Sequence, residues 1–209
     1  IINHKLNNYK NNKSLIKKFD LYNDHNFNNY KVNWLHGYFQ SEDYFKEYKE
    51  DISKIFSIDE PKNKKFIGIK KNIDIKNSIA VGVRQFEEMS GSKRLVGGLS
   101  NAEYYNQALK IMNTRIKNPS YFVFSTSNFK IFNDIDFKND VTFINNDTGY
   151  EGILENLWLM SQFNNFIIGN SSFHWWAAWL SEYKNKNTTV IVSDNFPNNN
   201  TIPERWIKI

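Results

Sequence analysis

At 209 residues, with 40% hydrophobic and 16% aromatic content, the chain has room for one large domain or two small ones around a real core. Its net charge of +5 comes from Lys dispersed among Asn, with few Arg and no basic block, which is weak evidence for nucleic acid, a partner not expected here, and suits anionic small ligands or an anionic membrane surface about as well. The absence of Cys excludes disulfides and thiolate metal sites, and no apolar run approaches the length of a membrane span.

The chain opens at Ile1 without an initiator Met, inside an Asn/Lys-rich segment (residues 1–33), and is expected to be the C-terminal part of a longer protein. Residues 34–40 (Trp-Leu-His-Gly-Tyr-Phe-Gln) read as a strand, and residues 41–56 as a helix. Residues 57–77 are polar, Lys-rich and carry Pro61, which suits a linker or domain crossover. Residues 1–77 therefore read as the remnant of another, N-terminal domain with its linker, docked against the second.

From Ser78 onward strand and helix alternate. Residues 78–83 form an apolar run that ends at Arg84. Ser100-Asn-Ala-Glu103 is a capping box that opens a helix to about Ile116, with Tyr104, Ala108, Ile111 and Met112 on its apolar face. Pro119 stops it, and residues 121–124 and 141–144 are the next strands. A helix over residues 150–163 leads to a short apolar strand, residues 166–168, and then to an aromatic-rich helix. A last strand covers residues 189–192, and Pro197 and Pro203 mark an irregular tail that folds back. Strands separated by helices predict βαβ units and a parallel sheet, so residues 78–209 are expected to form a Rossmann-like α/β domain.

The segment Phe166-Ile-Ile-Gly-Asn-Ser-Ser-Phe-His-Trp-Trp-Ala-Ala-Trp-Leu180 carries the most chemistry. Gly169 and Asn170 break the strand, and Ser171 or Ser172 can cap the helix. Strand, tight turn and helix N-terminus make an anion site of backbone N–H groups and hydroxyls, at the carboxyl ends of the strands. The plainer reading is a capped helix whose Trp and Leu residues, at helical spacing, fill the core. His174 either faces a ligand or packs. Arg84 ends its strand where its fork can bind paired phosphate oxygens, or it pairs with Glu87 or Glu88. Either carboxylate offers a base. Asp134-Ile-Asp136 has the spacing of an acid-x-acid metal motif, but lies in a polar loop, and the four His show no ligand spacing. No phosphate-binding loop, complete dinucleotide fingerprint or serine nucleophile elbow is found.

Three stretches together resemble the bacterial α-1,2-fucosyltransferases of glycosyltransferase family 11: Gly37-Tyr-Phe-Gln-Ser-Glu-Asp-Tyr-Phe45, Leu157-Trp-Leu-Met-Ser161, and the run from Ile167 to Leu180. Tyr104-Tyr105 and Phe122-Val-Phe-Ser125 follow the same order. The resemblance spans roughly residues 34–195. It implies a two-domain, B-type enzyme, a galactoside 2-α-L-fucosyltransferase that moves L-fucose from GDP-β-L-fucose to the 2-hydroxyl of a galactose-like oligosaccharide acceptor, with inversion and without an obligatory metal or other cofactor. It further implies a role in surface polysaccharide or lipopolysaccharide synthesis, a cytoplasmic location and peripheral contact with the inner face of the membrane. Under the resemblance Arg84 neutralises the departing diphosphate, Glu87 serves as the base, and Ser125, Asn170, Ser171, Ser172, Phe173 and His174 line the donor pocket.

The departures from the family pattern are local. The His-x-Arg-Arg-Gly-Asp motif stands here as Gly82-Val-Arg-Gln-Phe-Glu87, without the His or the second Arg. Phe-Ser-Asp-Asp becomes Phe124-Ser-Thr-Ser127, Asn156 replaces a usual Asp, and the N-terminal Gly-Gly-x-Gly-Asn-Gln signature is absent. The competing expectations are transfer of another sugar and a non-catalytic homologue that binds a nucleotide sugar or glycan.

Overall fold

The computed structural model describes residues 40–85, 99–125, 130–145, 150–185, 187–196 and 199–209. Six strands form one sheet: β1 (Ser78–Gly82), β2 (Ser120–Ser125), β3 (Val141–Asn145), β4 (Asn165–Ile168), β5 (Thr189–Val192) and β6 (Ile207–Lys208). Their order is β3-β2-β1-β4-β5-β6 and every pair is parallel. This is the doubly wound Rossmann order, in which the chain changes direction across the sheet between β1 and β4. The expected α/β class and parallel sheet are what the chain forms.

Five α-helices are described: α1 (Lys49–Ile55), α2 (Lys64–Lys71), α3 (Ala102–Arg115), α4 (Tyr150–Met160) and α5 (Ser172–Lys184). Because side chains alternate along β1, Ile79 and Val81 join Tyr105, Leu109 and Met112 of α3 in one core. Ala80 joins the opposite core, with Phe163 and the α4 and α5 residues Trp158, Leu159, Trp175 and Trp179. Both layers are apolar because a parallel sheet is covered on both faces.

Three local expectations change. The helix expected over residues 41–56 is two short 3-10 turns, Glu42–Tyr44 and Lys46–Tyr48, followed by α1. Phe45 sits between the turns at φ −140°, and its ring packs on Trp175, Trp176 and Trp179. Tertiary packing of that ring overrides helix continuity. Within residues 57–77, read as linker, Asn63 caps α2 by accepting from Lys65 N, and Phe66 is fully buried. The cap of α3 is Asn101 rather than Ser100, its side chain accepting from Tyr104 N at 2.9 Å. The tail does fold back, adding β6 beside β5. Residues 34–39 lie outside the described residues. No helix among the described residues is long and apolar enough to cross a membrane.

Candidate functional site

In an open parallel sheet the ligand crevice lies beyond the carboxyl ends of the strands, where the strand order reverses. Here that point is between Gly82 of β1 and Ile168 of β4, which are register partners. The backbone on both sides is tied down: Val83 N donates to Phe124 O at 2.9 Å, and Ser193 N to Ile168 O at 3.1 Å. Two adjacent tyrosines of α3 finish the strand ends from the other face. Tyr105 donates its hydroxyl to Gly82 O at 3.1 Å, and Tyr104 to Ile168 O at 2.6 Å. Burial holds both phenols well above their ordinary pKa, the neighbouring ring adding to the shift at Tyr104, so each remains a hydrogen-bond donor.

Gly169 follows β4 in space that only a glycine leaves open. A Cβ there would come within 2.7 Å of Ser100 Oγ and 2.9 Å of the Tyr105 hydroxyl. Asn170 then donates to Asn195 O at 3.1 Å, which anchors the turn to the segment after β5. Ser171 is the cap of α5, its buried Oγ accepting from His174 N at 3.4 Å. Ser172 begins the helix, exposed to solvent. Its N-terminal N–H groups and positive dipole end therefore open at the sheet's reversal point.

Arg84 stands two residues past β1, exposed, on the same rim. Its charge reaches His174 of α5. Burial first, and the Arg84 guanidinium second, hold that imidazole down to about 3. His174 is therefore neutral across physiological pH, and its Nδ1 has no hydrogen-bond partner among the described residues. It is a neutral packing group here, not a cation.

The arrangement brings together Arg84, Asn170, Ser171, Ser172 and His174, with Phe173 half-buried and its ring edge-on to His174 at 5.8 Å. Ser125 is buried at the end of β2, the strand beside β1. Glu87, and with it the comparison to Glu88, lies outside the described residues. Asp134 and Asp136 are exposed; Asp136 pairs with Lys138, and no cluster of three His, Asp or Glu suited to a metal occurs among the described residues.

A cavity of about 280 Å³ opens beside the start of α5. Phe45, Trp175, Trp176 and Phe196 form its walls; Gln40, Ser41, Ser172 and Thr201 supply its polar groups. A second, of about 250 Å³, lies between the start of α3 and the segment after β5, with Glu103 and Asp194 in its lining. Neither is legible as a pocket in the sequence, because each is assembled from segments far apart in the chain. The sequence does carry a signal for the close approach of β1 to His174: Gly82, which closes an apolar strand two residues before Arg84.

The comparisons with known proteins agree with one another. The family model of glycosyl transferase family 11 matches residues 1–208. An alpha-1,2-colitosyltransferase of Escherichia coli is 30% identical over 195 residues, covering 83% of this chain and 61% of that protein. The chain thus spans about three fifths of the length of this relative.

Proposed function

The chain belongs to glycosyl transferase family 11, and on that premise we propose that it carries the nucleotide-sugar side of a B-type enzyme that transfers L-fucose from GDP-β-L-fucose to the 2-hydroxyl of a galactose-like acceptor. The observation that supports this reading most is the meeting of Arg84 with the start of α5 where the strand order reverses between β1 and β4. A diphosphate bound there meets backbone N–H groups, a dipole end and a guanidinium at once.

In the reaction the acceptor oxygen forms a bond to the anomeric carbon as the bond to the diphosphate breaks, and inversion follows. The charge that develops on GDP falls on Arg84 and the α5 N-terminus, and each such preorganised donor lowers the barrier by about 3 kcal/mol. Ser172 and Asn170 complete the donor rim, Ser125 and Phe173 flank it, and Ser171 fixes the helix start. Glu87 takes the acceptor's proton. His174, neutral and buried, sets the spacing between β1 and α5. No metal is required, because the positive groups come from the protein. The transferase works in the cytoplasm against the inner face of the membrane, on an oligosaccharide acceptor for surface polysaccharide, and the net charge of +5 favours that anionic surface.

A second donor has specific support. The similar Escherichia coli protein is named for colitose, a deoxysugar related to fucose, so GDP-colitose is the alternative substrate. Assay of the full-length protein with a panel of GDP-sugars and β-galactosides, with linkage analysis of the product, tests the proposal. Transfer from GDP-fucose in the presence of EDTA is expected. Binding of the donor without turnover on any acceptor would favour a non-catalytic homologue instead.

A further inference from the structure

The cavity beside α5 has a chemistry distinct from that of the anion rim. None of its eight lining residues bears a charge, so it offers nothing to a phosphate. Its walls are aromatic and already fixed by one another: Trp176 stacks on Phe45 at 5.5 Å and on Phe56 at 4.8 Å, and Trp175 stacks on Trp179 at 6.4 Å. Its polar groups are hydroxyls and one amide. Among them Thr201, only 4% exposed, holds an Oγ1 with no hydrogen-bond partner among the described residues, although its carbonyl accepts from Trp175 Nε1 at 2.8 Å. A buried hydroxyl without a partner is costly unless something else supplies one. The cavity, about 280 Å³, falls below the usual range for whole drug-sized ligands and suits a single ring. Ser172 belongs both to this cavity and to the anion rim.

We infer that this cavity seats the transferred sugar ring of the donor, with Thr201 and Gln40 reading its hydroxyls and the wall of Phe196 and Trp175 facing a deoxygenated carbon. The inference rests on the nucleotide-sugar reading above, since Ser172 joins the cavity to the diphosphate end. An uncharged, hydroxylated ligand with an apolar patch is what these groups complement. A 6-deoxyhexose has that patch at its methyl group.

The test is titration of the full-length protein with GDP, GDP-fucose and GDP-L-galactose, the last differing from GDP-fucose only by a 6-hydroxyl. The wild type is expected to prefer GDP-fucose over GDP-L-galactose by on the order of tenfold, the modest discrimination an apolar wall provides. Thr201→Val, which keeps the shape and removes the hydroxyl, should weaken GDP-fucose roughly three- to tenfold while leaving GDP unchanged. Gln40→Ala should behave in the same way and serves as an independent variant. If both variants bind GDP-fucose like the wild type, or lose GDP and GDP-fucose equally, the sugar is not in this cavity. If the wild type binds no GDP compound at all, the nucleotide-sugar reading itself fails, and this inference with it.

Discussion

The His174 imidazole fills the space that a side chain at Gly82 would need: a Cβ built on Gly82 would lie 2.5 Å from both Cγ and Nδ1 of the ring. β1 and α5 can therefore approach at the ligand crevice only because one contributes no side chain and the other a compact ring. Gly82→Ala should overpack this contact, at a cost of about 1–3 kcal/mol. His174→Ala in the same chain should recover part of the loss, since the two sites are coupled through direct contact. Urea unfolding of the four members of the cycle measures this, and strict additivity would contradict the contact.

The same histidine gives a pH dependence with a definite sign. Folded, it titrates at about 3, chiefly through burial, whereas an unfolded histidine titrates near 6.5, a value on the order of the free side chain's. As pH falls the unfolded chain takes up the proton first. The stability it contributes is complete above about 6.5 and is lost on the way down to about 3, at about 1.4 kcal/mol per pH unit. His174→Gln should flatten the pH profile of the unfolding free energy in that window; an unchanged slope would mean that the ring is not buried neutral.

Much of this frame is legible in the sequence, and for physical reasons. The apolar runs of β1, β2 and β4 and the Gly169-Asn170-Ser171 break report burial and turn chemistry, which are local properties. The break after Phe45 and the burial of Phe66 are not local. Each depends on a distant face, the indoles of α5 for Phe45 and the α4 core for Phe66. The pairing of Arg84 with the α5 N-terminus follows from the strand order, which strand positions alone do not determine. The roles of Tyr104 and Tyr105 at the strand ends were likewise hidden, since spacing showed only that Tyr104 faced the core.

Tyr104→Phe removes the donor to Ile168 O without changing the packing. It should cost about 1–2 kcal/mol, because the buried carbonyl loses a short hydrogen bond. Ile168 O keeps its second donor, Ser193 N at 3.1 Å; thermal unfolding checks the prediction, and a neutral substitution would show that this backbone bond alone satisfies the carbonyl.

Arg205 ties the tail to the body: it pairs with Glu182 of α5 and with Glu42 of the first 3-10 turn, while Trp179 and Trp206 donate their indole N–H groups to those same carboxylates. The guanidinium is 47% exposed, so solvent screens the pairs. Arg205→Met should lower stability by about 1 kcal/mol or less. Glu182→Leu, which strands the N–H of the buried Trp206, should cost more. The reverse order, from denaturant midpoints, would place the strength in the exposed pair.

The most direct test of the central claim is the affinity of the full-length protein for GDP, compared with that of Arg84→Ala. If Arg84 and the start of α5 hold the diphosphate, the wild type binds GDP, and the variant binds it about tenfold or more weakly, as loss of a charge-assisted hydrogen bond requires. Equal affinity in the two proteins would contradict the account.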